Sequence, residues 1–448
     1  MTTDVVTGLD AVFRPATVAV YGASAERPDR LGNQLLRNAL SGLGAAATTV
    51  VHPRAGSVEG HAAVPALEGA VDLALISVPA PRAEDALTDA AAGGARAAVV
   101  LSSGFGETGP SGSAAEQRLI HVARNAGMRL VGPNCMGVVS DLGGRWLNAS
   151  YFWSLPDTAG PLSFVSQSGA FGGMFFAELR RRGLGLARFV SLGNSADVTE
   201  TDVLDWLADD ESTEVVAIFA EAIGGGRRFV EAARRVTAHK PVVIVKAGKE
   251  SAGARAAASH TGSMAGAHAT ARAAFRRAGV IEAPDSSTFF DAVAALATVT
   301  TRPRSRRVAV VTISGGPAVL AADAVERAGL ELPAPSPATV ARLRELLPPF
   351  AATGNPFDFT PQCPPDRFTA AFAAVAADDS VDGMIVINCG LDVPEFGDAA
   401  AAVARAGIPM TAFVLDTPAV AAALGAAGVA LFDAPERAVT GYALVSLS

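Results

Sequence analysis

GPLSFVSQSGAFGGMFFAEL, residues 160–179, decides the fold. A short apolar run ends at Ser166-Gln167-Ser168-Gly169 and passes into a helical pattern. RVAVVTISGGPAVLAADAVERAGL, residues 307–330, repeats the plan, with Ser314-Gly315-Gly316 at its turn. TVAVYGAS at 17–24 is a third instance, turning at Gly22-Ala23-Ser24. A strand, a small-residue turn and a helix together open a parallel α/β unit, so three α/β units in a row are expected.

Outward from these openings, short β-branched runs alternate with Ala-rich amphipathic stretches. TTVVHPRAG, VDLALISVPAP, AAVVLSSGFGE and MRLVGPNCMGV supply the remaining strands of the first unit, MRLVGPNCMGV at 128–138 being its last strand and loop. RFVSLGNSADV, EVVAIFAEAIGGG and PVVIVKAGK belong to the second, followed by a long stretch from Ala252 to about Thr300 that SHTGS interrupts. TRPRSRR at 301–307 reads as a linker, and GMIVINCGLD and MTAFVLD as later strands of the third unit. The strands are apolar almost throughout, as sheets covered on both faces require. The expected domains are 1–145, 146–300 and 305–448, in keeping with a chain of 448 residues.

Composition narrows the function. Half of the residues are hydrophobic and 18% charged, a folded composition. The net charge of -8 carries no basic stripe, which argues against nucleic acid. Cys135, Cys363 and Cys389 lack metal-ligand spacing and fit a reducing compartment. No secretory signal or membrane-spanning run is apparent, so no membrane partner and a cytoplasmic location are expected. The only lysines, Lys240, Lys246 and Lys249, fall within ten positions. The last two precede the His260 stretch, where phosphate binding and a surface role are both open.

Gly22-Ala23-Ser24 sets a small-residue turn at a helix start, where backbone and helix dipole favour a pyrophosphate. His52-Pro53-Arg54 ends the second strand, where an NAD site usually has an acid; a basic residue suits the ribose phosphate of CoA or NADP. Ser77-Val78-Pro79, Ser102-Ser103-Gly104-Phe105 and Pro133-Asn134-Cys135 follow strands and should line the same edge.

His260 stands apart from the other five histidines. Its setting, Ser259-His260-Thr261-Gly262, is small and hydroxylic, leaving the imidazole accessible with hydrogen bonds for a phosphoryl group. The turns at Ser166-Gly169 and Ser314-Gly316 offer backbone amides at helix starts, each with roughly half a positive charge. Two such starts aimed at one point could hold a phosphohistidine. Glu221, ending EVVAIFAE, could accept the other imidazole N–H; a solvated strand-end carboxylate is the competing reading.

These residues resemble the NDP-forming, mostly ADP-forming, acyl-CoA synthetases, relatives of succinyl-CoA synthetase. The resemblance covers essentially the whole chain and rests on GARAAASHTGSMAG at 253–266, VAVYGAS, VGPNCMGV, SFVSQSGAFG, FVSLGNSADV and GNPFDF. It implies a Rossmann-like CoA-binding domain followed by two flavodoxin-like domains. It implies that His260 is transiently phosphorylated, contacted by Glu221, with phosphate held at Ser166–Gly169, Ser259, Thr261, Gly262 and Ser314–Gly316. CoA would meet Gly22, Ala23, Ser24, Asn33, Pro53, Arg54 and the three strand-end loops. Asn355 and Asp358 would fall near the same interface. The implied reaction converts acyl-CoA, ADP and phosphate to acid, CoA and ATP. ATP or ADP and Mg²⁺ would sit on a separate ATP-grasp beta subunit, since no such segment is found here; no metal site is expected on this chain, and a homo- or hetero-oligomer is. Tyr21, His52 and Ser314 depart from the family pattern. A CoA-binding regulator or acyl-transfer protein, and an NADP-linked dehydrogenase, are the competing readings.

Overall fold

The computed structural model describes residues 3–253, 255 and 268–447, with three sheets. They lie in two compact units, residues 1–282 and 283–448.

The first sheet has strands β1 (Val18–Tyr21), β2 (Thr48–Val51), β3 (Ser57–Val58), β4 (His61–Val64), β5 (Leu73–Ile76), β6 (Ala97–Val100) and β7 (Arg129–Val131). Its order is β3-β4-β2-β1-β5-β6-β7, parallel except for the β3–β4 pair. Without β3 this is the Rossmann order, with the reversal between β1 and β5. β1, β5 and β6 are buried at every position, which is why they read as unbroken apolar runs. Helices α1 (Thr3–Phe13), α2 (Leu31–Leu43), α3 (Ala83–Ala92) and α4 (Pro110–Asn125) accompany it.

The second sheet contains β8 (Gly137–Asp141), β9 (Trp146–Ser150), β10 (Ala159–Ser166), β11 (Leu186–Ser191), β12 (Val215–Ala220), β13 (Val242–Lys246) and β14 (Ile281–Ala283). The order β14-β13-β12-β10-β11 is the flavodoxin order, extended by the antiparallel hairpin β8–β9 beside β11. Its helices are α5 (Gly169–Arg182), α6 (Glu200–Leu207), α7 (Gly226–Thr237) and α8 (His268–Ala278). Local chemistry sets the helix ends. Ser168 caps α5 by accepting from the Phe171 N–H, and Gly183 ends it at φ 64°. Thr199 and Asp202 close a capping box on α6. The sequence 128–138 is therefore one strand ending, a turn and a new strand in another sheet. The turn lies at Gly132 (φ 94°) and Asn134 (φ 59°).

The core of this unit is continuous across both sheets: Val20, Leu36 and Leu75 belong to the same cluster as Val165, Ile218 and Phe229. Polar ties join them as well. Trp206 Nε1 donates to Asp10 at 2.9 Å, and Arg14 and Arg188 both pair with buried Asp210.

The second unit carries a five-stranded parallel sheet, β15 (Ala309–Thr312), β16 (Phe357–Asp358), β17 (Met384–Cys389), β18 (Met410–Leu415) and β19 (Ala430–Phe432). Its order, β16-β15-β17-β18-β19, is again that of flavodoxin. Helices α9 (Ser286–Thr298), α10 (Gly315–Arg327), α11 (Pro337–Leu346), α12 (Phe368–Ala376), α13 (Pro394–Arg405), α14 (Pro418–Ala426) and α15 (Pro435–Val445) surround it. A two-pronged Arg437–Asp291 pair, 2.8 and 2.6 Å, ties α15 to α9. The fold class is thus α/β, a Rossmann-like sheet followed by two flavodoxin-like ones. No helix among the described residues is long and apolar enough to cross a membrane.

Candidate functional site

A cavity of about 500 Å³ opens where the first sheet reverses direction, lined by Gly22, Arg30, Gly32, Ser77–Pro79, Ser102, Ser103 and Tyr151. Glycine is forced at its floor. A Cβ on Gly22 would stand 2.1 Å from the Ser77 carbonyl oxygen, at φ 100°, and one on Gly32 would stand 2.2 Å from the Gly22 carbonyl oxygen. The β1–α2 turn is therefore packed as tightly as backbone allows. No side chain caps α2. Its first N–H groups remain available to a phosphate. This cradle fits a dinucleotide-like ligand on its own geometry.

The turn is braced from behind by Asn33, which is fully buried. Its Oδ1 accepts the Ser24 N–H at 2.8 Å, and its Nδ2 donates to the Ser24 carbonyl at 2.9 Å and to Glu59 at 3.0 Å. Tyr151, which follows β9, reaches into the cavity with its hydroxyl 2.6 Å from Ser77 Oγ. Burial pushes that phenol up to about 12.

A second cavity, of about 270 Å³, lies at the carboxyl edge of the second sheet. Gln167, Asn194, Thr199, Glu200, Glu221 and Arg228 are among its walls. Glu221 is only 8% exposed, so the solvated reading fails. Gln167 fixes the turn that presents it. Its Oε1 accepts the N–H groups of Glu221 (2.7 Å) and Ala222 (3.0 Å), while Nε2 donates to the Ala222 carbonyl (2.8 Å) and to Glu200 (3.3 Å). Burial raises the Glu200 carboxyl above its ordinary range. Lys246 is buried beneath this turn, donating to the carbonyls of Glu221 at 2.6 Å and Ala247 at 2.7 Å. It is therefore not a surface residue, and two backbone carbonyls hold its ammonium.

The two strand-turn-helix openings share one detail. Ser166 Oγ donates to the Ser168 carbonyl (2.7 Å) and accepts its N–H (3.2 Å). Thr312 Oγ1 does the same with Ser314, at 3.1 and 2.7 Å. The N–H groups of Ser168 and Ser314 are thereby used, and that of Gln167 goes to the Phe219 carbonyl at 3.1 Å. The helix-start amides of Gly169 and Gly315 remain for an anion. Near Gly315 stands Asp358 Oδ2, 2.7 Å from where a Cβ would be. These openings belong to different units.

Comparison with known proteins places the chain. The model of a CoA binding domain matches residues 16–141, that of a succinyl-CoA ligase like flavodoxin domain residues 159–296, and that of a ligase-CoA domain residues 308–434. The alpha subunit of an ADP-forming acetate–CoA ligase (form II) from Pyrococcus furiosus is 36% identical over 383 residues, covering 85% of this chain and 82% of that one. The chain belongs to the family of ADP-forming acyl-CoA synthetases. An ADP-forming acetate–CoA ligase from Archaeoglobus fulgidus is 37% identical over 382 residues, and the match spans only 54% of its length. The solved acetyl-coenzyme A synthetase 1 of Ca. Korarchaeum cryptofilum, in complex with phosphate and ADP, superposes with a TM-score of 0.89 at 33% identity, covering 98% of this chain and 96% of that one.

Within the chain, the residues expected at the CoA edge divide. Gly22, Ser77, Val78, Pro79, Ser102 and Ser103 come together around the first cavity. Ala23 and Cys135 are buried, and burial pushes the Cys135 thiol up to about 12. Pro53 and Arg54 are exposed and outside the cavity walls. Gly104 and Phe105 line a separate hollow of about 280 Å³ with Glu84 and Arg118. Pro133 is buried, and Asn134 donates to Asn194 at 3.2 Å. Ser259, His260, Thr261 and Gly262 lie outside the described residues. The chain on either side converges on Glu282, with His268 Nε2 at 2.6 Å and Lys249 Nζ at 3.6 Å. Asn355 braces β15, accepting from the Val310 N–H (3.0 Å) and donating to the Val308 carbonyl (2.8 Å). Sequence reading missed Arg30, Tyr151, Asn194 and Glu200. For Asn194 the signal was present, since it sits in the FVSLGNSADV motif.

The departures from the family pattern have structural partners. Tyr21 donates to Asp89 at 2.9 Å, and His52 Nδ1 accepts the Ala55 N–H at 2.8 Å. Ser314 Oγ bridges to the Cys389 backbone.

Proposed function

We propose that this chain is the alpha subunit of an ADP-forming acyl-CoA synthetase, interconverting acyl-CoA, ADP and phosphate with acid, CoA and ATP. The observation that carries it is the second cavity, where Gln167 holds buried Glu221 beside the α5 helix start. That pairing supplies what phosphoryl transfer through a histidine requires: an anion site and a carboxylate to orient an imidazole. The three-domain division at 1–145, 146–300 and 305–448 is retained in this reading.

In the first step a phosphate oxygen attacks the thioester carbonyl, the C–S bond breaks, and the thiolate takes the proton that phosphate loses. The product acyl phosphate then gives its phosphoryl group to a ring nitrogen of His260, and the carboxylate leaves. Glu221 accepts the other ring N–H, fixing the tautomer and stabilising the cationic ring as the P–N bond forms. The Gly169 amide, at the start of α5, takes phosphate oxygens. CoA lies in the first cavity, its pyrophosphate at the Gly22 turn and α2. Phosphohistidine passes its group to ADP on an ATP-grasp partner, where Mg²⁺ also binds. A hetero-oligomer in the cytoplasm follows, with a small carboxylic acid as substrate.

The test is labelling. Mixed with an ATP-grasp partner and Mg-ATP, the chain should gain an acid-labile phosphate that His260→Asn abolishes. Persistent labelling of the variant overturns the assignment of His260. Tight CoA binding without phosphotransfer to any partner favours the regulatory reading instead.

A further inference from the structure

One side chain on the wall of the second cavity is tied, through two carboxylates, to the loop that continues from the wall of the first. Asn194 follows β11 in a turn flanked by Gly193 at φ 55° and Ser195 at φ 53°. A Cβ on Gly193 would stand 2.3 Å from the carbonyl oxygens of both Pro133 and Asn134, so the turn lies directly against the loop that leaves the first sheet. The Asn194 amide is committed on both sides. Its Oδ1 accepts from Asn134, and its Nδ2 donates to Glu107 and to Glu116, 2.7 Å each.

Those carboxylates hold the loop beside the first cavity. Glu107 accepts the N–H groups of Gly104 and Phe105, the latter at 3.2 Å, and Glu116 accepts that of Gly106 at 3.2 Å. Three consecutive amides after Ser103 are thus spoken for by two acids that share Asn194 as a donor. Like charges so close repel, and bound N–H groups are what offset the repulsion. Without the Asn194 amide the pair would face each other across an unfilled gap, and the loop 103–107 would have to move. The reverse also holds, because a displaced loop withdraws the acceptors that orient Asn194. Ser102 and Ser103 line one cavity and Asn194 lines the other.

We propose that Asn194 is a positioning residue that couples the two cavities, so that filling one changes affinity at the other. The inference rests on the functional reading above, in which the first cavity takes CoA and the second takes phosphate. It adds a reciprocal linkage between them, carried by the Glu107–Asn194–Glu116 junction.

The experiment is calorimetric titration of the full chain with CoA, in the absence and presence of saturating inorganic phosphate. The wild-type Kd for CoA is expected to change about fivefold or more between the two conditions, the lower end of ordinary coupling. In Asn194→Ala the ratio should fall to about one, whatever happens to the Kd itself. A merely structural role would shift both Kd values and leave their ratio alone. Should Asn194→Ala fail to fold, Glu107→Gln serves, because its single acceptor oxygen cannot hold the loop amides and Asn194 together; its ratio should also fall. A retained ratio in a folded variant, or a wild-type ratio indistinguishable from one, overturns the coupling and leaves the functional reading intact. A wild-type chain that binds no CoA overturns that reading, and the coupling with it.

Discussion

Two residues of the first unit show how side chains shape the chemistry, one not expected at the site and one expected there in another part. Tyr151 brings a hydroxyl from the second sheet's hairpin into a cavity built by the first, against Ser77. Tyr151→Phe keeps the ring and loses the hydroxyl. A hydrogen bond is worth roughly 0.5–1.5 kcal/mol. CoA affinity should therefore fall by about three- to tenfold, read by calorimetry. An unchanged Kd would place the hydroxyl outside the ligand's reach. Gln167 is the second case. The sequence offered it as a phosphate ligand, yet its amide is consumed by the backbone of residues 221–222 and by Glu200. Its part is to aim Glu221. Gln167→Ala should slow phosphorylation of the chain by at least about tenfold, as expected when an orienting contact is lost. CoA binding should stay unchanged; equal loss of both would mean general damage.

At the scale of elements, what could be read in advance followed from burial. The strands of these sheets are covered on both faces, so β1, β5 and β10 stand out as apolar runs ending at glycine or serine. β14, β16 and β19 escaped, because two or three residues carry no period. The carboxyl-edge loops were legible as a group, but their internal bonding was not. Nothing in SSGF tells that Gly104 and Phe105 turn their amides to Glu107. The lysines' partners were hidden for a similar reason: Lys240 donates to the carbonyls of Leu207 and Asp210, at 2.7 and 2.8 Å, and Lys246 to that of Glu221. Long-range ties of this kind hold α1 as well. Burial alone would raise Asp210, but the Thr213 hydrogen bond and the charges of Arg188 and Arg14 bring it below its ordinary range. A lowered folded-state pKa contributes stability that is present above the unfolded value of about 3.9. That contribution is lost as pH falls through the folded value. Asp210→Asn leaves Arg188 buried at 4% exposure without its charge partner. It should cost about 3–5 kcal/mol near neutrality. The penalty should shrink below pH 4 in denaturant titrations; a penalty independent of pH would exclude the ion pair as its source.

For the whole molecule, sheets and cooperative units need not coincide. Three sheets follow one another along the chain, yet one core cluster runs from the first into the second, through Val20, Leu75, Val165 and Ile218. A separate cluster around Val311, Phe357, Phe372 and Val386 belongs to residues 283–448. Burial is the dominant favourable term in folding, so segments that share a core should melt together. Scanning calorimetry of the full chain should resolve two transitions and not three. CoA binds native structure in the first of these units on our reading. At a free concentration one-hundredfold above Kd it should stabilise that transition by about 2.7 kcal/mol and leave the other unmoved. Phosphate should act on the same transition through the α5 helix start, and the two ligands together should depart from the sum of their separate effects if Asn194 links their cavities. Three separable transitions, with CoA moving only the one that belongs to residues before Gly137, would show that the shared core does not bind the first two sheets into one cooperative body.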